Sequence, residues 1–171
     1  IEHAIAGEDY ASAARLIEPL AESLLSRGQA ATLLRWLNGL PQDTLLNRPA
    51  LVPLKAFALF MCSHPPQHVR DLLQTFGGQV GLADFQGELC TIQAMLAIMQ
   101  GQAAEAIRLS EQAIRLLPGS RLFFRCLAAD TLGMGQTLAG DYPAAMRAFE
   151  QVVELATQSD NLMLALMALS N

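Results

Sequence analysis

Gly101-Gln102-Ala103-Ala104-Glu105-Ala106 and Gly140-Asp141-Tyr142-Pro143-Ala144-Ala145 are two versions of one unit, 39 residues apart (101 to 140). Each glycine follows one long apolar-periodic segment and precedes another. After Ala106 come Ile107, Leu109, Ala113, Ile114, Leu116 and Leu117; after Ala145 come Met146, Ala148, Phe149, Val152, Val153 and Leu155. The apolar spacing is that of helices. A unit of this length that recurs predicts a stacked array of helix pairs rather than one closed core. The glycines stand where a helix needs a left-handed residue to end. Ala106 and Ala145 are small enough for the preceding helix to come close. Gly133, in the first helix of the last pair, would cost about 1 kcal/mol against alanine, so close packing is the expected reason for it. Ala94 holds the equivalent place one unit earlier. Phe149, the counterpart of Ser110, is expected to fill a hole between pairs.

Outward from these units the chain reads as helices throughout. Of its 171 residues, 52% are hydrophobic, dominated by Ala and Leu, which disfavours strands. Residues 1–6 read as the tail of a helix closed by Gly7. Asp9 is placed to cap a helix over 10–26 that ends at Gly28, with Pro19 expected to kink or break it. Further helices are predicted over 30–38, carrying Trp36, over 50–62, and from Pro66 to Phe76, with a short helical turn near 42–47. The regular part follows, with helices at 82–99, 102–117, 121–139, 142–158 and 161–171. Gly77-Gly78-Gln79-Val80-Gly81 is the best internal boundary. The expected fold is all-α, a right-handed superhelix of antiparallel helix pairs. It is read as one helical repeat domain over 1–171, looser over 1–78 and regular over 82–171.

Composition excludes several function classes. No run of about 18 apolar residues appears, so no membrane-spanning helix is expected. Net charge is −5 and Lys55 is the only lysine. Nucleic-acid affinity rests on many cation–phosphate contacts, so direct DNA binding is not expected. Cys62, Cys90 and Cys126 are too few and too widely spaced for a disulfide framework or a zinc site, which fits a reduced, cytoplasmic setting. The chain opens at Ile1 and stops at Asn171 inside an apolar segment, and it is read as a piece of a larger protein.

Leu132-Gly133, Gly140-Asp141-Tyr142, Ala145, Phe149 and Leu155 resemble the markers of the tetratricopeptide repeat, as do Gly101, Ala106, Ala113 and Pro118 one unit earlier. The period exceeds the usual 34 of that repeat. Longer repeats rich in Ala, Leu and Arg resemble the helical domain of the large ATP-binding LuxR-type (MalT-like) transcription regulators. Gly28 followed by Thr32-Leu33-Leu34-Arg35-Trp36-Leu37 and Leu40-Pro41 resembles the segment these regulators carry after their ATPase region. Ala106-Ile107-Arg108-Leu109-Ser110-Glu111-Gln112-Ala113 and Leu116-Leu117-Pro118 continue the likeness. It covers almost the whole chain and is weakest over 63–86. It implies a sensor or interaction platform between an upstream ATPase and a downstream helix-turn-helix domain. ATP would then belong to the separate upstream domain, with no cofactor here.

The resemblance also implies a working surface. In such repeats the first helix of each pair lines a concave face. Aligning on Gly101 and Gly140 gives Thr91, Met95 and Ile98, then Asp130, Met134 and Thr137; a looser alignment on Val69 adds Leu54, Ala58 and Met61. Methionine is adaptable and over-used at binding surfaces. The same side chains would serve equally as core between helices. The implied positions carry no cation, which disfavours acidic peptide tails and leaves apolar helices or neutral ligands.

No set of residues points to chemistry. His64 and His68 have a metal-compatible spacing, but Pro65-Pro66 lies between them and places His64 in the loop. Gly77–Gly81 lacks the Lys-Ser/Thr ending of a phosphate loop and follows a helix. Arg108, Arg115, Arg121 and Arg125 could hold an anion, yet paired or solvated surface explains them. Glu88, Glu105, Glu111, Glu150 and Glu154 are expected to face outward. The cysteines read as core. Catalytic, cofactor and metal residues are therefore expected to be absent. Three functions compete: a regulatory domain binding an unidentified small-molecule effector or protein partner, a generic repeat adaptor, and an enzyme, for which no constellation exists. Self-association is possible through the array's ends.

Overall fold

The computed structural model describes residues 1–77 and 81–158 of the chain. The helix expected at 161–171, with the end of the loop before it, and the middle of the 77–81 boundary lie outside the described residues. The chain forms two compact units, residues 1–85 and 86–171. Helices account for the architecture of both, and no strand occurs among the described residues.

The first unit contains α1 (Glu2–Ala6), α2 (Tyr10–Ser26), α3 (Ala30–Asn38), α4 (Gln42–Leu46), α5 (Leu51–Met61), α6 (Pro66–Phe76) and a 3₁₀ turn, Leu82–Phe85. Here α3 packs on α5, α5 on α6, and α2 on α3. The core joins Ile17, Leu25, Leu33, Leu37, Leu51, Val52, Phe57 and Val69, all buried. Asp9 caps α2, its Oδ1 accepting the Ser12 amide at 3.1 Å. The Ser12 hydroxyl, and then this amide bond, hold the Asp9 carboxyl below its usual range. Pro19 does not break α2, which is continuous from Tyr10 to Ser26. Both Pro19 and Arg15 are exposed, and proline there removes the amide that would bond the Arg15 carbonyl. The Lys55 ammonium donates to the Leu37 carbonyl at 3.2 Å, closing the end of α3. Burial of this side chain depresses its pKa.

The second unit contains α7 (Gln86–Met99), α8 (Ala103–Leu116), α9 (Leu122–Ala139) and α10 (Tyr142–Gln158). They pack as neighbouring pairs, α7 with α8 and α9 with α10, while α9 also lies against both α7 and α8. The helix expected at 82–99 becomes α-helical only at Gln86, because its first residues wind as the 3₁₀ turn.

The turns within the pairs share one geometry. Gly101 and Gly140 are left-handed, at φ 69° and 82°. The Gly140 amide donates to the Thr137 carbonyl at 3.0 Å and the Asp141 amide to Gln136 at 2.9 Å. The Gly101 amide donates to Ile98 at 2.9 Å and the Gln102 amide to Ala97 at 2.9 Å. This double bond pattern satisfies the free carbonyls of the ending helix. Ser63 makes the same turn between α5 and α6, at φ 55°, with the His64 amide on Leu59 at 3.1 Å. Gly28 and Glu8 turn the chain the same way, at φ 70° and 58°, with the Gln29 amide on Leu24 and the Asp9 amide on Ala4, each at 2.8 Å, while the longer spacing from 63 to 101 to 140 is 38 and then 39 residues. Serine hid the copy at 63.

Two glycines set the spacing of α9. A Cβ on Gly133 would lie 2.6 Å from Cε1 of Phe149, and one on Gly135 would lie 3.1 Å from Cγ1 of Ile107. Gly133 thus receives the Phe149 ring from α10, and Gly135 admits the start of α8. One unit earlier Ala94 and Ser110, both fully buried, hold the places of Gly133 and Phe149. The Ser110 hydroxyl has no hydrogen-bond partner there.

Candidate functional site

The first helices of the two regular pairs, α7 and α9, carry equivalent side chains at very different depths. Thr91 is fully buried and its hydroxyl donates to the Gly87 carbonyl at 2.9 Å. Met95 is 9% exposed, whereas its equivalent Met134 is 36% exposed. The difference follows from stacking, since α9 lies against α7 and covers it. Leu54, Ala58 and Asp130 are also buried, while Met61 is exposed. As they stand, Leu54, Ala58, Thr91, Met95 and Asp130 offer a ligand almost no surface. Direct contact at those positions would require helices to separate.

Three of the expected groove residues do come together. Ile98 from α7 and Met134 and Thr137 from α9 line one open groove of about 470 Å3, with Leu138 and Phe149 beside them. The lining has no charged side chain. Its one hydroxyl, on Thr137, donates to the Gly133 carbonyl at 2.9 Å. Leu138 could have been found from the sequence, being one turn beyond Met134. Phe149 was recognisable only as a repeat marker, because its reach depends on the missing side chain at Gly133.

The remaining candidates resolve into structure. Glu88 does not face outward; its residue is 2% exposed, and its Oε1 lies 3.3 Å from Nε of Arg121. This buried carboxylate in the first turn of α7 is thereby tied to the start of α9. The other arginines are engaged as well. Arg108 pairs with Glu105 at 2.6 Å, Arg115 approaches Glu111 at 4.0 Å, and Arg125 donates to the Leu117 carbonyl at 3.1 Å. Their partners explain them without an anion. His64 lies in the loop before α6, its ring tilted at 44° to that of His68 with 5.7 Å between centroids. Among the described residues no group of three or more His, Cys, Asp or Glu side chains could hold a metal, and no helix is long and apolar enough to cross a membrane. A second, open cavity of about 330 Å3 lies between α1 and α3. Its polar groups already pair, Glu2 Oε1 accepting from Arg35 at 2.7 Å and from the Trp36 indole at 3.3 Å.

Cys90 and Cys126 are buried and Cys62 is partly exposed. Burial pushes the Cys126 thiol up to about 11, against a weaker downward pull from Arg125. The unfolded chain releases this proton near pH 9, while the folded chain keeps it. Stability carried by the neutral thiol is therefore complete below pH 9 and lost as pH rises toward 11. Urea unfolding at pH 8 and pH 11 is expected to show wild type losing about 2 kcal/mol more than Cys126→Ala over that interval. Equal losses in the two proteins would show that the thiol ionises freely in the fold.

Paired helices, glycine turns and an uncharged groove on the first helices together define a tetratricopeptide-like helical repeat protein. Residues 87–171 match the family described as the MalT-like TPR region. The HTH-type transcriptional regulator MalT of Serratia proteamaculans (strain 568) is 29% identical over 175 residues, covering 99% of this chain. The chain spans 19% of the length of that relative. No solved structure matches it.

Proposed function

We propose that the chain is the regulatory, non-catalytic helical segment of a MalT-like LuxR-type transcription regulator in the cytoplasm. It binds an effector or partner in the groove between α7 and α9. Binding biases the parent protein between resting and active states, which requires a ligand with different affinities for the two. The observation that carries this reading is the groove lined by Ile98, Met134, Thr137, Leu138 and Phe149. It unites equivalent helices of successive repeats, so an occupant would respond to their relative position. The uncharged lining favours a neutral, largely apolar occupant over an acidic peptide tail, and with it the regulator over a carboxylate-clamping adaptor.

A thermal-shift screen of the chain against neutral small molecules tests this. A ligand at about 100 times its Kd adds about 2.7 kcal/mol of stability. Leu138→Asp, which places a carboxylate on an already exposed wall position, is expected to abolish that gain while folding normally. Ligands that stabilise wild type and Leu138→Asp equally would place binding elsewhere.

A further inference from the structure

We propose that Met134 makes this groove sensitive to peroxide, so that oxidation of its thioether closes the site to apolar occupants. The inference rests on the groove being the binding site, as argued above. Four methionines of the described residues are substantially exposed, Met61, Met99, Met134 and Met146, at 38, 56, 36 and 64%. Of these only Met134 lines the groove. Met95, its counterpart one repeat earlier, is 9% exposed and serves as an internal control.

The chemistry is a two-electron oxidation by hydrogen peroxide. A sulfur lone pair attacks one peroxide oxygen, the O–O bond breaks, and an S–O bond forms as water leaves. Sulfur is oxidised and peroxide is reduced. The product is a polar sulfoxide, which sulfoxide reductases return to the thioether. What the sulfoxide meets decides the outcome. The lining supplies Ile98, Leu138 and Phe149, none with a side-chain donor, and Thr137, whose hydroxyl is committed to the Gly133 carbonyl at 2.9 Å. A new oxygen on Met134 finds water in the open groove and no partner once an apolar molecule fills it. An unpaired polar group buried in this way weakens binding about tenfold or more.

The neutral fluorophore N-phenyl-1-naphthylamine is the probe, titrated into the 171-residue chain before and after graded hydrogen peroxide, with peptide mapping of every methionine. Met134 is expected to oxidise well before Met95, and probe affinity to fall at least about tenfold in step with Met134 sulfoxide. Met134→Leu should bind the probe before and after treatment alike, although its Met61, Met99 and Met146 still oxidise. Sulfoxide reductase should restore the wild-type affinity. Met134 oxidising no faster than Met95, or affinity unchanged once Met134 is converted, overturns the proposal. Equal probe binding by wild type and Leu138→Asp before any oxidation instead overturns the groove on which it rests.

Discussion

Replacing Arg121 with alanine is expected to lower the unfolding free energy by about 3 kcal/mol, far more than a surface ion pair is worth. The asymmetry of the pair is the reason. Glu88 is almost wholly buried, with its side chain 3% exposed, while that of Arg121 is 36% exposed. Removing the arginine takes a positive charge away from a carboxylate that cannot reach water. A helix N-terminus also favours an anion, by about 0.3–1 kcal/mol, which is less than the charge removed. Removing the other partner leaves a guanidinium that can hydrate, and Glu88→Gln keeps the shape. That variant is expected to cost about 1 kcal/mol. Urea denaturation of both variants checks the ranking. Equal and small losses would mean that Glu88 is solvated and the link from α7 to α9 carries little.

The second large effect belongs to Gly133 and Phe149. Gly133→Ala places a methyl 2.6 Å from the ring of Phe149, so either the ring or α10 must shift. Overpacking of this kind costs about 1–3 kcal/mol. Phe149→Ser empties the same contact, and losing this half-buried aromatic is expected to cost about 2 kcal/mol, below the value for a fully packed site. Together the two changes recreate Ala94 and Ser110, the pair one repeat earlier, where alanine and serine are both fully buried. The methyl of Gly133→Ala no longer meets a ring in the double variant. Its cost is expected to fall short of the sum of the singles by about 1–2 kcal/mol. Strict additivity would show that Gly133 is not there to receive Phe149.

These residues also show what the sequence could and could not reveal. Gly101 and Gly140 were legible because a left-handed turn recruits glycine, and the period between them led to the pairs. Ser63 makes the same turn without a glycine, so the earlier copy was visible only as the loop Ser63-His64-Pro65-Pro66. Gly133 was legible as an anomaly inside a helix; Gly135, two residues on, was passed over. Glu88 was misjudged because a charge at the start of a helix ordinarily meets solvent. Its partner Arg121, just before α9, is remote in sequence and shows only in the fold. The groove was half legible. Repeat alignment matched Met95 to Met134, but alignment cannot tell that α9 covers one and leaves the other open. Depth is a property of stacking, and stacking belongs to the pairs together.

The groove of Ile98, Met134, Thr137, Leu138 and Phe149 is the proposed working surface. Effector-dependent transcription by the full-length parent protein, with and without Leu138→Asp, tests this most directly. The predicted result is loss of the response to effector with DNA binding retained. An unchanged response, at unchanged effector concentration, would contradict it.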